Sequence, residues 1–275
     1  LKILAAEANV HLQYANTDSE KKYQSSKKYY DIMKLIEGFY YLNLQTLIKT
    51  KTLSFLQSKK IKLTEIESFK IGLSVTSKEL VKYLLQKGIK QDLLIELGIF
   101  KINKYGNIYD LFNHRLMFPI KDKLGRVIGF GGRKLDGEGP KYVNSWENDF
   151  FKKRSILYNM DCLSQIKSKV ENLYIVEGYT DVIALDKLGY KAVAPLGTSI
   201  SLEQIAFTWN YIKDPILFLD GDNAGLKASS RVLDLVLPEL GPGKSLNFIF
   251  IDSKEDPDDI INGVDGVEKI KKILS

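Results

Sequence analysis

The chain has 275 residues, 44% of them apolar and 11% aromatic, enough for one large domain or two modest ones with real cores. Its net charge of +6 is unevenly placed: residues 1–155 carry 28 Lys and Arg against 16 Asp and Glu, whereas residues 156–275 carry 12 against 18. No run of eighteen apolar residues could span a membrane, and a single cysteine, Cys162, excludes an internal disulfide framework.

With His11 and His114 as the two histidines, a zinc ribbon or finger cannot be assembled from this chain either. The expected compartment is a reducing cytoplasm, with Cys162 read as a small buried hydrophobe. The opening Leu1-Lys2-Ile3-Leu4-Ala5-Ala6-Glu7 lacks an initiator Met and the charged-then-apolar order of a signal peptide. A soluble fragment of a longer protein is the expectation.

Taken in chain order, the first fifty residues predict helix, with Tyr29, Met33, Ile36, Phe39 and Leu42 forming an apolar stripe and Asn16–Ser26 a polar surface connection. Two related segments follow, Phe55–Lys62 and Tyr83–Lys90. Each ends a helix and turns into another apolar run, which predicts a pair of small helix-turn-helix units. From Leu116 the period changes. Leu116–Ile120, a turn at Lys123–Arg126 and Val127–Arg133 predict a β-hairpin whose second strand holds Gly129, Gly131 and Gly132. Glycines there sacrifice packing and are most useful where a backbone or a ligand comes close. A loop at Gly137–Pro140 precedes Lys141–Ser145.

Beyond Ile156 strands and helices alternate. Leu173–Val176, Ala192–Pro195, Ile216–Leu219 and Phe248–Ile251 read as strands, with helices near Tyr179–Leu188, Leu202–Tyr211 and Ala224–Leu237 between them. Continuous apolar strands separated by helices predict a parallel sheet covered on both faces, with ligands bound beyond the strands' carboxyl ends. The predicted class is therefore α/β, a parallel sheet with flanking helices preceded by a mixed α+β basic part. The boundary is placed between residues 1–155 and 156–275.

Acids fall where that rule puts a ligand. Glu177 follows one strand with Asp181 a helical turn later, Asp220-Gly221-Asp222 follows another, and Asp256-Pro257-Asp258 follows the last after a short loop. Mg²⁺ is held by one or two carboxylates together with substrate phosphates, and clustered carboxylates repel without a cation. Each motif alone fits a turn or a helix start; their order after successive strands points to a metal-dependent phosphate site. The basic half upstream suits a polyphosphate backbone, although single lysines such as Lys21, Lys22, Lys27 and Lys28 read as solvated faces.

Val176-Glu177-Gly178-Tyr179-Thr180-Asp181, Asp220-Gly221-Asp222-Asn223-Ala224-Gly225 and Glu255-Asp256-Pro257-Asp258 resemble the signature motifs of the Toprim fold in the version used by bacterial DNA primases of the DnaG family. Arg115–Ile120, Gly125–Arg133, Pro140–Ser145 and Phe151-Lys152-Lys153 resemble the basic subdomain that precedes it in those enzymes. Thr180 stands where the family has a larger apolar residue, and Arg154 where a glycine follows the lysines, so the resemblance does not choose between Lys152 and Lys153.

The resemblance implies a DNA-directed RNA polymerase that makes primers on single-stranded DNA at replication forks by nucleotidyl transfer from NTPs, with Mg²⁺ or Mn²⁺. It assigns catalysis to Glu177, Asp181, Asp220 and Asp222, and metal binding to Glu177, Asp220, Asp222, Asp256 and Asp258. Arg133, Lys141, Asn144 and Lys153 would hold nucleotide or template. Zn²⁺ and the replicative helicase belong to terminal domains that the resemblance places outside this chain, expected to be a monomeric cytoplasmic fragment without membrane contact. Two alternatives stay open on the residues alone: another Toprim enzyme that cleaves or rejoins DNA, and a non-enzymatic nucleic-acid-binding module.

Overall fold

The structure, a computed structural model, describes residues 17–47, 50–76, 78–164, 172–197, 199–219, 223–251 and 255–274. It opens on a long helix, α1 (Thr17–Thr46). Tyr29, Ile32, Met33, Ile36, Tyr40 and Leu44 are its buried face, whereas Leu42 is 56% exposed. The expected stripe therefore holds through Phe39, half-buried against that core, and departs from the sequence reading at Leu42. Six residues on from Ile36 turns about 240° round a helix, which carries Leu42 off the face and leaves it to Tyr40 and Leu44. The stretch from Thr17 to Ser26 is helix rather than a surface connection. It contains neither Gly nor Pro, and its lysines are good helix formers.

The two short helix pairs follow as α2 (Thr50–Ser58) with α3 (Leu63–Ser68), and α4 (Glu79–Gln86) with α5 (Gln91–Glu96). Between the pairs runs β1 (Gly72–Ser74), and after them a small antiparallel hairpin, β2 (Phe100–Ile102) and β3 (Ile108–Asp110). Its turn is built on Asn103, whose Oδ1 accepts from the amides of Tyr105 and Asn107, with Gly106 at φ +80°. The anticipated hairpin is β4 (Arg115–Lys121) and β5 (Val127–Lys134). With β6 (Tyr142–Asn144) it completes an antiparallel sheet in the order β1-β4-β5-β6.

After a 3₁₀ turn at Lys153–Ser155 and the short helix α6 (Asp161–Ser164), the second sheet is built from β7 (Leu173–Ile175), β8 (Lys191–Val193), β9 (Ile216–Leu219) and β10 (Asn247–Phe250). The intervening helices are α7 (Tyr179–Asp186), α8 (Leu202–Thr208) and α9 (Asn223–Val236), and α10 (Pro257–Asn262) and α11 (Gly266–Leu274) close the chain. Every pairing in this sheet is parallel and the order is β10-β9-β7-β8. The chain winds outward one way from β7 to β8 and the other way from β9 to β10, so the switch point lies between β7 and β9. Glu177 stands just past the end of the first of those strands and Asp220 follows the last residue of the second.

The two sheets share one core. Leu44, Ile71, Leu116, Phe118 and Ile120 from the basic part cluster with Tyr174, Val176, Tyr179, Ile183 and Ala194 from the acidic part. A second core lies under α1, around Met33, Leu84, Phe112 and Phe130, and a third on the other face of the parallel sheet, around Leu173, Ile205, Leu217 and Val232. Among the described residues no helix is long and apolar enough to cross a membrane.

Candidate active site and metal centre

Glu177 is exposed beyond β7, and Gly178, in extended backbone, starts α7. Asp181 then sits in the first helical turn, where acids interact favourably with the exposed amides. One of its oxygens accepts from the Gly178 amide at 3.0 Å and the other from the Asp258 amide at 3.2 Å, so this buried carboxylate ties the start of α7 to the start of α10. Asp256 is the N-cap of α10, accepting from the Asp259 amide at 2.7 Å, with Pro257 in the first turn. Asp258 is 1% exposed and accepts from the Asn262 side-chain amide.

These contacts bring oxygens of Asp181, Asp256 and Asp258 all within 4.8 Å of one another. Such a set of hard oxygen donors, two of the three carboxylates buried, suits Mg²⁺ or Mn²⁺ rather than a thiophilic ion. Burial pushes the Asp258 carboxyl above its ordinary range, while Lys59 pulls it the other way. Glu177 is not one of this trio. It borders a cavity of about 390 Å³ at the sheet's carboxyl edge, together with Pro195, Gly197, Ser199, Leu219 and Arg231. Asp220 and Asp222 lie outside the described residues.

The basic strands face the same edge. Asn144, on β6, accepts the Tyr179 hydroxyl through Oδ1 at 2.5 Å, and its amide lies 3.0 Å from where a Cβ on Gly197 would stand. Tyr179 inserts between the sheets, stacking on Phe118 with centroids 5.0 Å apart and meeting Tyr158 edge-on. It occupies the space that a side chain on Gly131 would need, since a Cβ there would fall 2.2 Å from its hydroxyl. Gly129 and Gly132 are pressed in the same way by Phe151 and Phe112. The close approach expected of these glycines is thus made by aromatic rings rather than by a backbone or a ligand.

The guanidinium of Arg133 donates to the Tyr142 hydroxyl at 2.6 Å and lies 4.2 Å over the Phe55 ring. Lys141 is exposed and Lys153 partly buried at the 3₁₀ turn, whose Lys153 amide donates to Glu147. Arg115 is a clamp: buried, it donates to the carbonyls of Gly132, Pro140 and Lys141 and so fixes the loop that carries Lys141. Burial pushes the Cys162 thiol up to about 12, in keeping with an inert side chain.

Sequence reasoning missed two lysines. Lys59 lies 2.5 Å from Asp258 and 2.8 Å from Asp259. Lys187 donates to the carbonyls of Lys59 and Lys60 and to Asn262. Nothing in the local sequence of either distinguishes it from a solvated surface lysine. Arg231, beside Glu177's cavity, also went unnoticed, although its place in α9, the helix that begins directly after the Asp220-Gly221-Asp222 motif, was a usable signal.

Comparison with known proteins agrees with this geometry. Residues 39–164 match the family model for the N-terminal domain of the DNA primase catalytic core, and residues 171–246 that for the Toprim domain. The DNA primase of Haemophilus influenzae is 38% identical over 98% of this chain, and that of Escherichia coli K12 is 37% identical over 84%. The chain spans 46% and 40% of those two proteins, less than half their length. Among solved structures, a DnaG primase catalytic domain bound to single-stranded DNA superposes with a TM-score of 0.80 at 35% identity, covering 90% of this chain and 82% of the other. The E. coli primase catalytic core gives 0.79 at 36% identity, over 87% and 78%. Through motifs, topology and these matches alike, the chain belongs to the DnaG family of DNA primases.

Proposed function

We propose that this chain performs template-directed RNA primer synthesis on single-stranded DNA, by metal-dependent transfer of a nucleotidyl group from NTPs. The observation that carries the reading is the gathering of Asp181, Asp256 and Asp258 within 4.8 Å after the strands of a parallel sheet, with Asn144 of the basic part bonded to Tyr179 at the start of the same helix as Asp181. A ribonucleotide 3′-hydroxyl attacks the α-phosphorus of the incoming triphosphate; a new P–O bond forms, and the bond to the departing pyrophosphate breaks. Mg²⁺ or Mn²⁺, when bound, clamps the triphosphate and lowers the pKa of the attacking hydroxyl.

Asp181, Asp256 and Asp258 hold ion in this reading, with Asp220 and Asp222 completing the set. Glu177, at the switch point, takes the hydroxyl proton or acts as a further ligand. Arg133, Lys141 and Lys153 neutralise nucleotide or template phosphates, and Asn144, fixed by Tyr179, supplies hydrogen bonds. Residues 1–155 are the basic template-holding subdomain and residues 156–275 the catalytic one. The whole protein works in the cytoplasm, with a replicative helicase and Zn²⁺ engaged through other domains.

The test is incubation of the chain with single-stranded template, Mn²⁺ or Mg²⁺ and labelled ribonucleotides, beside Asp220→Ala. Short RNA products are expected from the wild type, with synthesis lost and template binding kept in the variant. Strand cleavage without RNA products supports a different Toprim chemistry, and unchanged behaviour in Asp220→Ala supports a binding module.

A further inference from the structure

The acidic trio already contains a cation of its own. Lys59, the residue after α2, reaches out of the basic part with its side chain 17% exposed and sets its ammonium 2.5 Å from Asp258 Oδ2 and 2.8 Å from Asp259 Oδ1. Its backbone is held from the opposite side: Lys187, just past α7, donates to the Lys59 and Lys60 carbonyls at 3.1 and 3.3 Å and to Asn262 Oδ1 at 3.4 Å. Asn262 in turn donates to the other oxygen of Asp258. The ammonium is therefore placed by a fixed frame, on a carboxylate that is itself 1% exposed and cannot recruit water freely.

We propose that Lys59 is a built-in counter-cation of the metal centre, a positioning residue that holds Asp258 in place before the divalent ion arrives and limits how tightly that ion binds. The inference rests on the metal reading given above. Two effects support it. A buried carboxylate stripped of its partner is strongly unfavourable, and the Lys59 ammonium offsets the burial of the Asp258 charge where no divalent ion does. The same ammonium then repels an incoming divalent ion a few ångströms away, and in a partly buried site that repulsion is not screened as it is at the surface. Lys59 thus exchanges affinity for a preformed site, and because it comes from the basic part it makes the carboxylate geometry depend on how the two parts pack.

The measurement is Mn²⁺ binding to the 275-residue chain, followed by the electron paramagnetic resonance of free Mn²⁺, with melting temperature read with and without the ion. Lys59→Met is expected to bind Mn²⁺ on the order of tenfold tighter than wild type and to show a larger Mn²⁺-induced rise in melting temperature. Lys59→Arg is expected to behave as wild type, and the double variant K59M/D258N to lose the gain. A Lys59→Met protein that is native only with Mn²⁺ also supports the proposal. Equal or weaker Mn²⁺ binding by Lys59→Met, a gain that persists in the double variant, or a Lys59→Met chain unfolded with and without the ion overturns it. A wild-type chain that binds no Mn²⁺ overturns both this proposal and the metal reading beneath it. Binding unaltered by Lys59→Met removes the proposal alone.

Discussion

Tyr179 shows how one side chain serves both the fold and the site. Its ring fills the gap over Gly131 while its hydroxyl holds Asn144. Gly131→Ala is expected to cost about 1–3 kcal/mol in urea unfolding, because a methyl group there must displace a stacked ring. Tyr179→Phe keeps the ring and loses the Asn144 bond; nucleotide KM is expected to rise several-fold while stability falls by only about 1 kcal/mol. The three glycines of β5 were visible in the sequence as a place of close approach. Their partners were not, since each lies on another element and local sequence carries no record of which ring will arrive.

Asp110 is a second residue whose state the sequence could not give. Fully buried, it accepts from Tyr40, Ser74 and the Phe112 amide, and burial nevertheless pushes its carboxyl up to about 6. A carboxyl with a folded pKa above its unfolded value keeps its proton longer in the native state. Its contribution is complete below about pH 4 and is lost as pH rises through about 6. Between those limits native stability is expected to fall by about 3 kcal/mol from this group. Urea unfolding across that range checks this: the downward slope should be shallower in Asp110→Asn than in wild type, and identical slopes in the two proteins would refute it.

At the scale of elements, the hairpin and the four parallel strands were legible because apolar runs bounded by turns specify them. β9 coincides with the expected Ile216–Leu219, and the other strands differ by a residue or two at their ends. The three-residue strand β1 was missed, since so short a piece owes its form to pairing with the distant β4; the β2–β3 hairpin was missed as well, although it pairs locally and its Asn103–Asn107 turn was a usable signal. The Asp256-Pro257-Asp258 motif admitted two readings, a helix start and a metal ligand set, and the structure makes it the first while leaving it placed for the second. That overlap can be separated. Asn caps helices about as well as Asp, so Asp256→Asn is expected to leave stability within about 0.5 kcal/mol, whereas Asp256→Ala should lose about 1 kcal/mol. Both should weaken Mn²⁺ binding. Thermal melts beside Mn²⁺ titration distinguish cap from ligand, and equal Mn²⁺ affinity in wild type and Asp256→Asn would leave the residue a cap alone.

At the scale of the molecule, the charge division that the sequence displayed is joined by a core that it did not. Phe118 from the basic part and Tyr179 from the acidic part stack directly, and Lys59 crosses to Asp258. Basic strands and acidic loops therefore meet at one edge, as the proposed transfer of nucleotides along a template requires. If Arg133 and Lys141 each neutralise one template phosphate, replacing either with Ala should reduce the slope of log binding constant against log salt by about 0.7 for a single strand. An unchanged slope would move the template elsewhere. The order of carboxylate motifs along the chain was readable from the strands they follow; the crossing lysine was not, because it joins residues two hundred positions apart. Gel analysis of labelled ribonucleotides incubated with the chain, single-stranded template and Mn²⁺ decides whether the chain makes primers. Short, template-dependent RNA that vanishes on adding chelator and returns with excess Mn²⁺ is expected; a folded, template-binding chain that makes no RNA under those conditions would rule primer synthesis out.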